Sequence, residues 1–454
     1  MGLIFPSESL TFPEASARSL LDAVMPSLYL FEDDQVAALR PLVNTRAVYD
    51  LRLAIRSLLE TTRDAFAQPA TMLHVRAPLA DVTAHHYDFP VNTPPPEDGV
   101  LLVNGRFVAT EGPALDRLRR AVRERESARA FVAEDTLVAA WLPDALAVPD
   151  ALATGDPITP DLFTDLPMES VEDATCISRM WHLLDALAPA LERDFAARTG
   201  PYNILETIHE RPDASVHPSA IGVRPEQIYI APGAAIRPGA ILNAESGPIY
   251  IDRNATVMEQ AVVRGPAYIG RKAQVKIGAN IETAAIGTYS KVGGEVHDTV
   301  IHSYSNKAHA GFLGHAYLGR WCNLGADTNN SDLKNDYGSV SVYNVATGAV
   351  EDTGRQFVGL FMGDHSKTGI NVSLNTGTVI GTFCNVYGSG LPPRFLPSFS
   401  WGTAEQRFTT YRLEKALRVA EAVMARRDHT LTDADRALLT HVFEQTQPER
   451  ERHL

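Results

Sequence analysis

Aliphatic residues recur at a strict interval of six in the middle of the chain, at Ile251, Val257, Val263, Ile269, Val275 and Ile281. An amphipathic helix repeats near 3.6 residues and a strand near 2, so neither explains this interval. A hexad repeat is typical of a parallel β-helix, in which three hexads, each a short strand and a corner, complete one triangular turn. The same interval occurs at Ile230, Ile236, Leu242, Ile286, Val292, Leu318, Leu324, Leu374, Ile380 and Val386. The sequence therefore predicts a left-handed parallel β-helix over residues 204–402.

The regions on either side of the hexads have other patterns. Residues 1–203 mix short apolar runs with helical stretches, which predicts an α/β domain. In that region, residues 27–31 read as a strand and residues 50–59 as a helix. Residues 403–454 predict a helical tail that caps the β-helix, with Thr432 as the N-cap of the last helix. The hexads break between residues 328 and 355, where we expect a loop that leaves the prism.

Bulk composition excludes several classes of protein. The 454 residues carry a net charge of −14, which argues against a nucleic-acid or anionic-membrane partner. The three cysteines, Cys176, Cys322 and Cys384, are isolated and form no CxxC pair, so neither a zinc site nor a disulfide framework is indicated. The chain shows no apolar run of the roughly 18 residues needed to span a bilayer, and no signal peptide. We therefore expect a cytoplasmic protein.

Several long motifs carry a resemblance to a known family. They include Gly247-Pro248-Ile249-Tyr250-Ile251, Lys291-Val292-Gly293-Gly294-Glu295-Val296, Ser305-Asn306-Lys307-Ala308-His309, Trp321-Cys322-Asn323-Leu324-Gly325-Ala326 and Met362-Gly363-Asp364-His365-Ser366-Lys367. With these motifs the chain resembles the GlmU-like family, an α/β nucleotidyltransferase-like domain followed by a left-handed β-helix. The family includes the bifunctional uridyltransferase/acetyltransferase that makes UDP-N-acetylglucosamine. Left-handed β-helices of this kind are used mostly by acyltransferases.

The resemblance implies transfer of an acetyl group from acetyl-CoA to an amino sugar or its phosphate. Acetyl transfer needs a base that removes the proton of the acceptor, and histidine is the usual choice because its pKa lies near neutrality. His309 matches the catalytic histidine of the family, Asn323 matches an asparagine that contacts the sugar or orients the acyl group, and Glu295 matches an acidic position. His365, beside Asp364, is a competing candidate for the base.

The resemblance also implies how the co-substrate binds. Enzymes of this family are trimers whose sites lie between subunits, so we expect a homotrimer with acetyl-CoA in the groove between neighbouring prisms. Ala326 and Lys367 are the positions expected to contact acetyl-CoA.

The sequence departs from the family where the sugar phosphate is held. His297 stands at the position of a lysine and Phe312 at that of a tyrosine, so the phosphate clamp is altered. Arginine and lysine hold phosphate by charge-assisted hydrogen bonds. Four basic residues are candidates for a replacement clamp, or are simply solvated surface charges: Arg264, Lys276, Lys291 and Lys334.

The N-terminal domain lacks the glycine-rich GxGxR loop that cradles nucleotide phosphates in nucleotidyltransferases. Phe31-Glu32-Asp33-Asp34 stands in its place. Side chains would then have to hold UTP or dTTP, and Arg40, Arg46 and Arg52 are the candidates. Asp33 and Asp34 are candidate ligands for Mg²⁺, which favours carboxylate oxygens and phosphates. The alternative is a degenerate domain with a structural or regulatory role.

Two other functions fit parts of the pattern. One is a sugar-1-phosphate nucleotidyltransferase in which the β-helix only trimerises the chain. The other is a non-catalytic scaffold, or a protein like the gamma-class carbonic anhydrases, which hold zinc between prisms. His297, His302, His309 and His315 are the histidines for that reading, but their short spacings give no recognisable ligand set.

Overall fold

The computed structural model of the protein describes residues 26–67, 69–95, 99–144, 149–199, 208–210 and 213–454. An α/β domain is followed by a long parallel β-helix and then by helices. This arrangement confirms the fold class predicted from the sequence. The predicted boundary between residues 203 and 204 lies outside the described residues.

The N-terminal domain is built on one mixed sheet of six strands. These are β1 (Ser27–Phe31), β2 (Thr71–Leu73), β3 (Val100–Asn104), β4 (Arg129–Ala133), β5 (Thr136–Leu142) and β6 (Met168–Ser170). The strand order is β2-β1-β3-β5-β4-β6, with β1 parallel to both of its neighbours and β5 antiparallel to both of its own. The helices are α1 (Leu58–Ala65), α2 (Ala80–His86), α3 (Pro113–Arg123), α4 (Ala151–Thr154), α5 (His182–Asp185) and α6 (Leu187–Thr199). Short 3-10 helices lie at Asp34–Leu39, Val48–Asp50, Ala77–Leu79 and Pro160–Phe163 in this domain, and at Ile208–Glu210 and Pro225–Gln227 beyond it.

The β-helix makes about ten turns and has three faces. Face 1 contains β7 (Ser215–Val216), β10 (Ala235–Ile236), β13 (Thr256–Val257), β15 (Gln274–Val275), β17 (Lys291–Val292), β19 (Asn306–Lys307), β26 (Lys367–Thr368), β29 (Asn385–Val386) and β31 (Ser400–Thr403). Face 2 contains β8 (Ile221–Val223), β11 (Ile241–Asn243), β20 (Phe312–Gly314), β22 (Asn329–Asn330) and β27 (Ser373–Leu374). Face 3 contains β9 (Ile228–Ile230), β12 (Ile249–Ile251), β21 (Tyr317–Arg320), β25 (Leu360–Met362), β28 (Thr378–Ile380) and β30 (Phe395–Leu396). Three longer strands run from face 2 into face 3: β14 (Val262–Ile269), β16 (Asn280–Ile286) and β18 (Glu295–Ser303).

The predicted hexad residues fill the interior of the prism. All six aliphatics from Ile251 to Ile281 are fully buried and belong to one apolar column. Parallel pairing places Val257 beside Val275, Val275 beside Val292 and Val292 beside Lys307, so the turns shorten from 18 to 17 and then 15 residues. The hexad prediction of the fold is therefore confirmed, although the interval tightens after Ile281.

The outer side of face 3 packs against the N-terminal domain. Its outward row includes Tyr268, Val300, Tyr317 and Phe361, which share one apolar core with the N-terminal sheet and its helices. Helix α6 lies across β14, β16 and β18. The domain and the β-helix are thus joined by a continuous buried contact, and face 3 is covered along this stretch.

Aromatic rings stack at the corner between face 3 and face 1, here called corner 3–1. Tyr304 stacks on Trp321 with centroids 4.4 Å apart, and His365 stacks on Phe383 at 4.5 Å. Phe383 then stacks on Phe399 at 5.2 Å. Each of these residues has a left-handed backbone, with φ between 57° and 62°, and this conformation turns the corner.

The predicted loop contains a hairpin of its own. Strands β23 (Ser341–Asn344) and β24 (Ala349–Asp352) pair antiparallel. Residues 331–358 leave the prism after β22 and return before β25, as the break in the hexads indicates. Glu351 forms an ion pair with Arg179, and Arg355 pairs with Asp185, so the insertion contacts the N-terminal domain.

The C-terminal region begins with a strand, β32 (Arg407–Thr410), which pairs antiparallel with β31. Its Phe408 packs on the apolar column and helps to close that end. Helices α7 (Leu413–Ala425), α8 (Asp433–Gln445) and α9 (Gln447–His453) follow. Thr432 is the N-cap of α8, as predicted, and forms a capping box with Asp435, although α9 and not α8 ends the helical region. Helices α7 and α8 pack into the core shared with the N-terminal domain, while Leu454, after α9, packs against the apolar column together with Phe408.

One predicted helix is wrong. Residues 50–57 form no α-helix, and α1 begins at Leu58. The Ser57 hydroxyl accepts from Glu60 N while the Glu60 side chain accepts from Ser57 N, and this capping box sets the start of the helix. The residues before it contact the β-helix instead. Within the described residues, no helix is long and apolar enough to cross a membrane.

Candidate functional site

His309 lies at the corner between face 1 and face 2, here called corner 1–2, and is exposed to solvent. It follows β19, whose Lys307 occupies an interior position that is valine in the two preceding turns. The Lys307 side chain is buried, with the residue 1% exposed, and its Nζ donates to the carbonyl oxygens of Gly293 (3.0 Å), His309 (2.7 Å) and Ala310 (3.1 Å). Burial lowers the pKa of Lys307 to about 8. A buried amine thus fixes the backbone that presents the His309 imidazole.

The neighbouring turns bring two other predicted residues near this corner. Glu295 is exposed one turn before and pairs in register with Phe312, three residues after His309. Asn323 is exposed one turn after, and its Oδ1 lies 3.4 Å from Asn306 Nδ2. Glu295 therefore lies on face 2 and Asn323 on face 1, on either side of corner 1–2 and on the turns before and after that of His309.

The two predicted acetyl-CoA contacts lie on turns that follow the turn of His309. Asn323 bridges Lys367 on face 1, so Lys367 lies one turn beyond it. Lys367 Nζ donates to His365 O at 2.8 Å, and burial lowers its pKa to about 8. Ala326 lies at corner 1–2 and its carbonyl accepts from Asn371 N. Their roles stay predictions, but the structure places both on turns that follow His309.

Corner 1–2 is also an exposed apolar edge. Ile277 is 66% exposed and Ile370 is 67% exposed. The backbone register puts Ile277, His309, Ala326 and Ile370 in equivalent positions, each two residues after an inward-facing residue of face 1. Exposed isoleucines on either side of the histidine form a surface that an apolar ligand or another protein chain could cover.

The four candidates for a phosphate clamp do not converge. Arg264 is exposed with Glu282 3.7 Å away, and Lys334 lies in the insertion, 3.4 Å from Asp336. Lys291 instead has other basic groups near it. Burial, followed by the positive charges of Arg427, Lys276 and Arg426, lowers its pKa. Lys276 and Lys291 therefore form one basic group with Arg426 and Arg427, the two arginines that follow α7. The arginines were not identified from the sequence, since nothing in it shows that α7 returns to this face.

The predicted nucleotide-binding arginines contact other parts of the protein. Arg40 pairs with Glu449 at 2.8 Å, and Arg46 pairs with Asp364 of the β-helix. Arg52 donates to backbone carbonyls, among them His302 O, and its N donates to Tyr317 Oη. All three hold the N-terminal domain against the β-helix and the C-terminal helices.

The predicted Mg²⁺ ligands are placed unequally. Asp33 is buried, and its carboxylate accepts from Arg106 Nε (2.9 Å) and Asn104 Nδ2 (2.8 Å). Asp34 is exposed at the start of a 3-10 turn. As placed, both oxygens of Asp33 already accept hydrogen bonds, so the pair does not fit a Mg²⁺ site.

The histidines are distributed among different corners. His365 is buried in the aromatic stack, where burial holds its pKa well below the usual value. His302 is buried, with Nε2 2.9 Å from Asp50 O. His297 and His315 approach each other at the corner between face 2 and face 3, here called corner 2–3, with ring centroids 5.8 Å apart. The four histidines of the zinc reading therefore do not form one site.

Corner 2–3 brings two carboxylates to these histidines that the sequence did not single out. Asp332 Oδ2 lies 2.9 Å from His315 Nδ1, and Asp298 Oδ2 lies 3.2 Å from His297 Nδ1. The hydrogen bond with Asp298 raises the pKa of His297. A separation of one turn was the available signal, since His297, His315 and Asp332 follow each other at 18 and 17 residues.

The N-terminal domain is similar to a known family. Residues 28–201 match the sequence model of the family described as sugar nucleotidyl transferase. The matched range contains β1 from its second residue, strands β2 to β6 and helices α1 to α6, and it ends before β7.

Two relatives are similar over a shorter segment. The bifunctional sugar-1-phosphate nucleotidylyltransferase/acetyltransferase of Sulfurisphaera tokodaii is 35% identical over 100 residues, which is 22% of this chain and 24% of the relative. The bifunctional protein GlmU of Methanocaldococcus jannaschii is 33% identical over 104 residues, which is 23% of this chain and 25% of the relative. The matched segment thus spans about a quarter of the length of these relatives.

A solved structure also shows some likeness. The UDP-N-acetylglucosamine acyltransferase from Campylobacter jejuni matches 51% of this chain and 94% of its own, with 12% identity and a TM-score of 0.24. A likeness of this size indicates nothing about function.

Proposed function

We propose that this protein is a transferase of nucleotide-sugar metabolism that moves an acetyl group from acetyl-CoA to the amine of an amino sugar or its phosphate. The observation that carries the proposal is His309, an exposed imidazole on a corner whose backbone is held by the buried Lys307 amine. The similarity to bifunctional nucleotidylyltransferase/acetyltransferases supports the same class of reaction.

His309 is the proposed base. When the amine nitrogen of the acceptor attacks the thioester carbonyl, the imidazole takes the proton that the nitrogen loses. The C–S bond then breaks, and the protonated imidazole returns the proton to the CoA sulfur. Asn323 and Glu295, on the turns beside that of His309, are proposed to hold the sugar by hydrogen bonds.

The co-substrate is proposed to lie along corner 1–2. Ala326 and Lys367 follow His309 along the prism, and the group of Lys276, Lys291, Arg426 and Arg427 supplies positive charge for phosphates. We further propose a homotrimer, because the exposed Ile277 and Ile370 flank His309 and a second prism would cover them. A cytoplasmic location stays a prediction.

Release of free thiol from acetyl-CoA tests the proposal with a panel of amino sugars and their 1-phosphates. We expect turnover with one class of acceptor and a fall of at least about 100-fold in kcat for His309→Ala, since general-base catalysis contributes roughly 10²–10⁴. His217→Ala is the matched control, because His217 is also exposed on the β-helix but lies several turns away. Equal rates for His309→Ala and the control would remove the proposed base.

Sugar-1-phosphate nucleotidyl transfer is the second candidate, and the family match over residues 28–201 favours it. Turnover of UTP or dTTP with sugar 1-phosphates by the full chain tests it. In that case the β-helix would serve mainly for assembly, and the chain would release no thiol from acetyl-CoA. No nucleotide binding by calorimetry would eliminate this candidate.

A further inference from the structure

Three side chains that bind metals in many proteins meet at corner 2–3. His297 ends the face-2 part of β18, His315 follows β20, and Asp332 follows β22, so each comes from a different turn. Each offers one nitrogen or oxygen atom, and these three atoms all lie within 4.8 Å of one another. Separate turns thus converge on one point without any contact to His309, which lies at corner 1–2.

The distances are close to those of a coordination shell. His315 Nδ1 and Asp332 Oδ2 are 2.9 Å apart, and Asp298 Oδ2 lies 3.2 Å from His297 Nδ1 and 3.7 Å from His315 Nε2. Zinc takes nitrogen and oxygen ligands at about 2.0–2.2 Å, which puts ligand atoms of a tetrahedron roughly 3.4 Å apart. Side-chain movements on the order of 1 Å would therefore close the shell.

One glycine and two aromatic rings lie beside the cluster. A Cβ at Gly314 would lie 2.5 Å from Asp332 Oδ2, so glycine at this position leaves room for the carboxylate beside the imidazoles. The Phe312 ring meets His297 edge-on at 4.8 Å, and the Phe357 ring stacks on His315 at 5.1 Å. These two rings flank the imidazoles, and the partial exposure of His297 leaves one side of the cluster open to solvent.

We propose that His297, His315 and Asp332 bind one divalent cation of the zinc type, with Asp298 orienting the imidazoles. Two imidazoles and a carboxylate suit zinc and its transition-metal neighbours, whereas Mg²⁺ and Ca²⁺ prefer oxygen ligands alone. The fourth position faces the open side and takes water or an anionic oxygen of a small ligand.

The cation would also hold the base of the insertion. Asp332 is the second residue of that segment, its carbonyl accepts from Val358 N at 2.9 Å, and Leu333 bridges Phe357. A metal bound at Asp332 therefore ties both ends of residues 331–358 to two turns of the prism. This site does not depend on the acetyl-transfer proposal.

Metal binding to the full chain tests the proposal. After treatment with a chelator, Zn²⁺ is titrated by calorimetry, and Co²⁺ is followed by its visible absorption. We expect one ion per chain, bound at micromolar or lower concentration, and no competition from millimolar Mg²⁺. His315→Ala and Asp332→Asn should each weaken binding by at least about 10-fold, and His217→Ala should bind like the wild type.

Two further measurements keep the outcome unambiguous. Thermal unfolding of the metal-free variants shows whether each is folded. His315→Ala also loses the ring contact with Phe357, whereas Asp332→Asn keeps the shape of the side chain, so the asparagine variant tests the loss of the ligand alone. His309→Ala should bind the metal normally, so failure of the metal site and failure of acetyl transfer are separable. Zn²⁺ affinity unchanged in folded Asp332→Asn and His315→Ala, or no binding by the wild type, would overturn the proposal.

Discussion

The contact between the N-terminal domain and the β-helix depends on a buried ion pair. The Arg46 side chain is 2% exposed and the Asp364 side chain 6%. Asp364 also accepts from Thr45 Oγ1 at 2.7 Å and from Arg320 N at 2.8 Å. The next carboxylate near Arg46 is Asp50, whose Oδ2 lies 3.9 Å from Arg46 Nε. Removal of Asp364 therefore leaves a buried guanidinium whose remaining acid, Asp50, is 3.9 Å away and already accepts from Arg320.

We expect Asp364→Ala to lower the free energy of unfolding by about 3–5 kcal/mol, the range for removing one partner of a buried pair. Arg46→Met should cost toward the lower end of that range, because Asp364 keeps two hydrogen bonds. In the Arg46→Met, Asp364→Ala double variant no buried charge of the pair remains. Its cost should be roughly 2 kcal/mol less than the sum of the single costs.

Equilibrium unfolding in guanidinium chloride, followed by tryptophan fluorescence, measures these costs. The control is the exposed pair of Arg355 and Asp185, whose side chains are 35% and 43% exposed and which also joins the β-helix to the N-terminal domain. Asp185→Ala should cost no more than about 1 kcal/mol. A cost below 1 kcal/mol for Asp364→Ala, or additive single costs, would refute this account of the interface.

Three other predictions follow from buried groups. The pKa of Lys307 is about 8 in the folded protein and about 10.5 in an unfolded chain, so the unfolded chain binds more protons between these two pH values. The free energy of unfolding of the wild type, measured in urea, should therefore rise by about 3 kcal/mol from pH 8 to 10.5 relative to that of Lys307→Met. His365→Phe should keep acetyl-transfer activity and remove a loss of stability below about pH 6.5, where the unfolded chain takes up a proton that buried His365 does not; loss of activity in a folded variant would make His365 the base. Asp33→Ala should lower stability by about 3 kcal/mol or more in calorimetry, because Arg106 is fully buried; a variant as stable as the wild type would contradict a structural role.

The interior of the β-helix was predictable because it depends on a local period. Each turn repeats the same inward positions, so Val257, Val263 and Val275 are fully buried where the hexads place them. The Thr432 cap of α8 is local in the same sense. Where residues close in sequence determine the structure, the sequence pattern was sufficient to predict it.

The contacts across the domain interface were not predictable from one sequence. Arg46 and Asp364 are 318 residues apart, and no pattern near either residue indicates the other. The arginines therefore read as phosphate ligands, although the structure gives them partners in the protein. The helix predicted over residues 50–59 failed for the same reason, since Arg52 and the residues beside it contact the β-helix instead.

The site was predictable only in part. His309, Asn323 and Glu295 were assigned by resemblance, and the structure brings them onto adjacent turns. The buried Lys307 amine that fixes the corner was not recognised, because a lysine at an inward position breaks the hydrophobic pattern. Such a break in an otherwise regular interior is itself a signal of a special position.

A crystal structure of the protein with acetyl-CoA tests the central claim most directly. We expect the thioester to lie at corner 1–2, with its carbonyl carbon nearer to the imidazole of His309 than to any other histidine ring. The pantetheine chain should run past Ala326 and Lys367. Acetyl-CoA bound at another face of the prism, or with its thioester beside His365, would contradict the assignment of His309 as the base.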